Sequence, residues 1–123
     1  MWSTLFAVAS GGAIGATLRY GAMLALGRGS FPWATLLVNV SGSLLFGFLA
    51  IWLSERWPQA AELRAFWLVG VLGAFTTFST FSWETVALLQ EGEMARAGVN
   101  ILASISLCVV AAALGMWLAR QFT

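Results

Sequence analysis

Apolar positions fall into four long stretches, from about Thr4 to Leu26, Trp33 to Leu53, Phe66 to Leu89 and Gly98 to Leu118. Each is about as long as a helix that crosses a ~30 Å hydrocarbon core. Polar or helix-breaking segments separate them. Gly27–Pro32 lies between the first two, and Ser54–Gln59 opens a connection that continues through Glu62 and Arg64. Gln90–Glu93 with Arg96 divides the last two. The pattern predicts an all-α membrane protein of four transmembrane helices, with spans of about 4–26, 33–53, 66–89 and 98–118 in a single domain, 1–123. No long linker, low-complexity tract or internal repeat interrupts it.

Composition supports lipid as the solvent. Hydrophobic residues make up 60% of the chain and charged ones 9%, where a soluble surface calls for about a quarter. Trp2, Trp33, Trp52, Trp57, Trp67 and Trp117 sit near the ends of the stretches, where indole rings favour the headgroup region. Ala7-Val8-Ala9 has the form of a cleavage site, but no basic residue precedes it and the apolar run before it is short. The first stretch therefore reads as a span. A net charge of +1 gives no reason to expect nucleic acid as a partner. The single cysteine, Cys108, excludes an intrachain disulfide and a cysteine zinc site, and the absence of histidine excludes most transition-metal chemistry. An enzyme is not expected: with no His, Asp or Lys, a Ser or Thr nucleophile has almost no base, and Glu84 is the only carboxylate within a span.

The six arginines are nearly balanced across the expected membrane. Arg56, Arg64 and Arg120 share the side of the N-terminus. Arg28 and Arg96 lie on the other, and Arg19 leans toward it from inside the first span. Orientation follows Lys/Arg asymmetry in short loops. Either a bias is supplied from elsewhere, or the protein inserts both ways and oppositely oriented copies pair.

Polar residues within the spans carry the candidate chemistry. Thr76, Thr77, Ser79, Thr80 and Ser82 crowd the middle of the third stretch, after Gly70 and Gly73. A lone hydroxyl bonds back to its own helix; five together with nearby glycines predict a broken helix, tolerable at depth only when buried or lining a wet cavity. Phe75, Phe78 and Phe81 recur every three residues, a spacing that a 3₁₀ turn keeps on one face. Their ring edges carry the positive part of the quadrupole and can face an anion. Asn39 adds an amide donor. Arg19 and Glu84 are ionisable groups at costly depth, poised for function, for snorkelling or for pairing with each other. Asn100, Ser104 and Cys108 share a face of the fourth span, as a lining or as glue between helices. Gly11 and Gly15, like Ser43 and Gly47, have the small-xxx-small spacing of close helix packing.

These residues bring the chain close to a known family. Gly11–Tyr20, Thr35–Ser43 and, most specifically, Gly73–Ser82 with Glu84 resemble the Fluc (CrcB-type) fluoride channels of microbes, and the resemblance covers nearly the whole chain. It implies a dual-topology antiparallel homodimer in the bacterial inner membrane that passively exports fluoride through two pores. Phe78 and Phe81 match the pore phenylalanines and Asn39 the pore asparagine, with Ser104, Thr77, Thr80 and Glu84 along the same polar path. Arg19 matches the arginine of the aqueous vestibule. Gly73 and Thr76 match the break whose backbone carbonyls bind a central, structural sodium ion. Ala74 stands where many relatives have a second glycine, and Cys108 where a hydroxyl is expected.

Fluoride also suits the chemistry. It is small and strongly hydrated, so a pore must replace water with several donors, yet bind weakly enough to release the ion. Hydroxyls, an amide and ring edges are neutral donors of this kind. The rival reading is a small dual-topology exporter of drugs or guanidinium. Proton coupling there needs a carboxylate deep in the first span, and this one holds only Arg19.

Overall fold

A computed structural model describes residues 1–123. The chain is built of helices: α1 (Trp2–Leu26), α2 (Trp33–Arg56), a composite rod, and α6 (Met94–Gln121). The composite rod comprises α3 (Ala61–Arg64), a π-helical segment (Ala65–Leu72), α4 (Gly73–Phe75) and α5 (Phe78–Gln90). Three rods, Trp33–Arg56, Ala61–Gln90 and Met94–Gln121, are long and apolar enough to cross a membrane. The first helix has the length, 25 residues, but its glycines, hydroxyls and Arg19 dilute its apolar character. By that measure the expectation of four spans is met for three.

Burial is inverted relative to a water-soluble protein. Phe6, Leu102 and Val109 are each at least 65% exposed, while Asn100, Thr35, Thr85 and Ser104 are buried. Apolar surface outside and bonded polar groups inside is the arrangement that hydrocarbon demands. Hydroxyls within helices are satisfied by back-bonding: Ser10 donates to the Phe6 carbonyl (2.8 Å), Thr17 to Ala13 (2.6 Å) and Ser41 to Leu37 (2.7 Å). No buried side-chain nitrogen or oxygen lacks a partner.

Glycines set the two closest helix packings. Gly11 and Gly15 lay α1 along the π segment and α4; a Cβ on Gly15 would overlap the Val71 carbonyl oxygen, and one on Gly11 that of Phe66. Gly47 and Gly115 bring α2 and α6 together in the same way, against Ala112 and Leu44. Gly11, Gly15 and Gly47 therefore act as their spacing suggests. Ser43 instead faces a groove.

The chain ends are tied down at one pole. Ser3 Oγ donates to Glu62 Oε1 at 3.0 Å, Arg64 Nη1 donates to the Trp57 and Pro58 carbonyls, and Arg56 reaches the Phe122 carbonyl at 3.5 Å. The α1–α2 and α5–α6 connections meet at the opposite pole, where Gly29, Pro32 and Glu91 border one cavity. Gly92, at φ +78°, ends α5 with Gly92 N–H on the Leu89 carbonyl and Glu93 N–H on that of Leu88. Such a left-handed residue after a helix is the usual station of glycine.

Candidate functional site

The composite rod breaks at Thr76 and Thr77, near the middle of Ala61–Gln90. Both residues are extended, with ψ of 153° and 114°. Two side-chain devices make the break. Asn39 of α2 replaces a helical neighbour for Thr77: the Thr77 N–H donates to Asn39 Oδ1 at 2.7 Å, and Asn39 Nδ2 donates to the Thr77 carbonyl at 3.0 Å. Thr77 in turn caps α5, its Oγ1 accepting the Thr80 N–H at 3.2 Å. Gly42 of α2 provides the room, since a Cβ there would meet the Thr76 methyl group.

These bonds leave particular carbonyls open. The Thr77 N–H would close an α-turn on Gly73, but goes to Asn39. The Thr80 N–H would close one on Thr76, but goes to Thr77 Oγ1. Neither the Gly73 nor the Thr76 carbonyl thus keeps its helical partner. The Thr77 hydroxyl does not replace them, because it lies 3.0 Å from Thr80 Oγ1. The intervening Ala74 carbonyl accepts Arg19 Nε–H at 3.0 Å. The hydroxyl cluster therefore has two roles. Thr76 and Ser82 do back-bond, to Leu72 (2.9 Å) and Phe78 (2.9 Å). Thr77 and Thr80 build the break.

Beside the break a groove of about 420 Å³ opens between α2, α5 and α6. Asn39, Thr77, Phe78, Phe81, Ser104 and Cys108 are among its walls. The Phe78 and Phe81 rings stand 5.3 Å apart, Phe81 buried and Phe78 76% exposed. The three-residue phenylalanine spacing does not arise from a 3₁₀ turn. Phe78 starts an α-helix, so Phe78 and Phe81 are i, i+3 neighbours on one face, while Phe75 lies across the break and outside the groove. Extended backbone, fixed by Asn39, wins over a tighter helix at this point.

The polar stripe of α6 divides by position. Asn100 is glue, 2% exposed, donating to Thr85 Oγ1 at 3.0 Å, and Thr85 donates to the Phe81 carbonyl at 2.8 Å. Ser104, buried one turn on, donates to Asn100 Oδ1 at 3.4 Å and faces the groove with Cys108. Two of the expected pore residues border a different cavity. Thr80 and Glu84 border the second cavity, of about 360 Å³, at the pole of the α1–α2 connection. The Thr77 and Thr80 hydroxyls, 3.0 Å apart, border one cavity each. Glu84 accepts a short hydrogen bond from the Thr35 hydroxyl and does not pair with Arg19; the chain's one ion pair is Arg96 with Glu93, at 3.6 Å. Sequence reasoning passed over Thr35 and Trp83, both at this second cavity or its carboxylate. The i, i+4 step from Thr35 to Asn39, two polar residues on one face of an apolar helix, was the available signal for the first.

A broken helix clamped by an asparagine, beside a groove of rings and hydroxyls, is the geometry to set against known proteins. The family model described as CrcB-like protein, Camphor Resistance (CrcB), matches residues 6–116. The chain belongs to the CrcB family. The matched span takes in the break, both cavities, most of α1 and most of α6. A Methylococcus capsulatus protein named fluoride-specific ion channel FluC is 52% identical over 122 residues, covering 96% of this chain and 53% of that protein. The chain thus spans about half the length of that CrcB relative. A Geobacter sulfurreducens protein of the same name is 44% identical over 97% of this chain and 98% of its own length. One from Magnetococcus marinus is 50% identical over 92% and 94%. These relatives are named as ion channels, not enzymes.

Proposed function

We propose that this protein is a fluoride-selective channel of the bacterial inner membrane, passively exporting fluoride from the cytoplasm. The observation that carries the reading is the groove, where neutral donors and ring edges converge in a chain of the CrcB family. Asn39 spends one amide hydrogen on Thr77 and retains a second for an anion. Phe78 and Phe81 supply ring edges, and the Ser104 hydroxyl a further donor. No cation lines the groove, so no deep well would trap the ion. Thr77 and Thr80 carry the path toward Glu84, and Arg19, the expected vestibule arginine, reaches the break at the Ala74 carbonyl.

The working unit is an antiparallel homodimer of four-span subunits with two pores. Support comes from the small core of a single copy, in which 21 of 123 residues are buried. The open side of the groove and the exposed Phe78 ring call for cover of the same chemistry. In α1, length and close packing on the composite rod support a span despite its diluted hydropathy. A sodium ion at the dimer centre would be held by the Gly73 and Thr76 carbonyls of both copies. The donor set fits: hard, neutral oxygens freed by the break, with no His, Cys, Asp or Glu cluster competing for a metal. When bound, that ion supplies positive field near the anion path and ties the subunits together.

The exporter reading fails on chemistry: α1 has no carboxylate, and Glu84 is engaged by Thr35. The test is reconstitution into fluoride-loaded liposomes with a fluoride electrode. Rapid fluoride efflux, with chloride retained in a parallel preparation, is expected. Efflux that required a proton gradient, or failed for fluoride, would sink the reading.

A further inference from the structure

We propose that Arg19 is a positioning residue of the broken helix: it occupies the Ala74 carbonyl and so fixes which carbonyls of the break stay open to a cation. The proposal rests on the reading of Gly73 and Thr76 as the sodium ligands. Gly11, Gly15 and Arg19 are spaced i, i+4, i+8 and share one face of α1. The two glycines press that face onto the π segment and α4. The third position then arrives at the end of the first half-helix, where Nε–H meets the Ala74 carbonyl at 3.0 Å.

The electrostatics are those of a helix C-terminus, whose orphan carbonyls carry partial negative charge. No carboxylate competes for the guanidinium, because Glu84 is bonded to Thr35 and the one ion pair of the chain is remote. Leu72 O accepts both the N–H and the hydroxyl of Thr76. Ala74 O is taken by Arg19. Gly73 lies before it, and Phe75 and Thr76 lie after it; Gly73 and Thr76 are the pair read as sodium ligands. The donated hydrogen takes the place a cation would need at that carbonyl, and the bond holds the half-helix end in register. Arg19 and the ion thus share out the carbonyls of one break.

The test compares purified full-length wild type with Arg19→Gln, Arg19→Lys and Arg19→Met. Thermal stability in detergent is followed against sodium chloride, with N-methylglucamine chloride holding ionic strength constant. A cation that binds the folded dimer raises Tm with its concentration. The Gln amide nitrogen lies the same number of bonds from Cα as Arg Nε, so Arg19→Gln keeps a donor for Ala74 without the charge. It is expected to retain a half-saturating sodium concentration near that of wild type. Arg19→Met, with no donor, is expected to raise it on the order of tenfold. Arg19→Lys, whose nitrogen sits one bond further out, is expected to fall between them, and decides the matter against Gln if the Met variant does not fold.

A wild-type response in Arg19→Met overturns the proposal. So does Arg19→Lys matching wild type while Arg19→Gln does not, since charge alone would then be acting. A wild type whose Tm ignores sodium overturns the cation reading itself and this proposal with it, and that outcome is visible before any variant is made.

Discussion

At the scale of single residues, Asn39 does two jobs that a substitution can separate. Its oxygen accepts from Thr77 N–H and its nitrogen donates to the Thr77 carbonyl. Asn39→Asp keeps the first bond but sets a carboxylate against a carbonyl and removes the donor offered to an anion. Fluoride efflux from liposomes is expected to fall on the order of tenfold or more, the equivalent of one lost hydrogen bond in a transition state. Retention of full efflux would remove Asn39 from the path. The phenylalanines make a second, independent prediction. Phe78→Ile and Phe81→Ile keep bulk but lose the ring quadrupole. Each is expected to depress fluoride efflux sharply while the protein still elutes as a dimer on gel filtration. Phe81 is buried within one copy, so Phe81→Ile is expected also to lower Tm. Wild-type flux in both variants would move the anion path elsewhere.

At the scale of helices, two glycines of one helix meet opposite surroundings. A Cβ at Gly15 has no space against the Val71 carbonyl, whereas one at Gly12 meets nothing within 4 Å. Gly15→Ala must push α1 off the composite rod, an overpacking strain of ~1–3 kcal/mol or more. Thermal melting in detergent should show a marked loss for Gly15→Ala and little change for Gly12→Ala; equal behaviour would mean the close contact is not what holds α1. These packings were legible because small residues at a spacing of four have one plain use in an apolar helix. The break was legible because five hydroxyls exceed what back-bonding needs, and Thr77, Ser79 and Thr80 are the surplus. The π register of Ala65–Leu72 was not. That segment is apolar all round, and a helical period is read only from polar positions that mark a face. The extended form of the break was missed for a related reason. The phenylalanine interval suited a tighter helix, and the deciding bonds come from Asn39, 38 residues away in sequence. The division of polar residues between two cavities likewise depends on how α5 is turned against α2 and α6, which no spacing within α5 states.

For the whole molecule, the distribution of arginines bears on how copies meet. The bonds of Ser3, Arg56 and Arg64 gather the N-terminus, the α2–α3 turn and the C-terminus at one pole. That pole holds Arg56, Arg64 and Arg120, and the other holds Arg28 and Arg96. Arg19 adds to neither, since its guanidinium is engaged within the fold. Acidic residues count little in setting orientation, so Glu93 beside Arg96 does not tip the balance. A difference of one arginine gives the insertion machinery almost nothing to read. A C-terminal tag probed in intact and permeabilised cells is therefore expected to appear on both faces in comparable amounts. Two arginines added at the N-terminus should fix that pole in the cytoplasm. Expressed alone, this variant has no oppositely oriented copy to cover its groove, and cells carrying it should be fluoride-sensitive. A second variant with two arginines added to the Gly27–Pro32 connection should insert the other way and fail alone in the same manner. Together the two should restore resistance, because each supplies the orientation the other lacks. Uniform orientation of the unaltered protein, or full resistance from either variant by itself, would rule out the antiparallel dimer while leaving the groove and its anion chemistry standing.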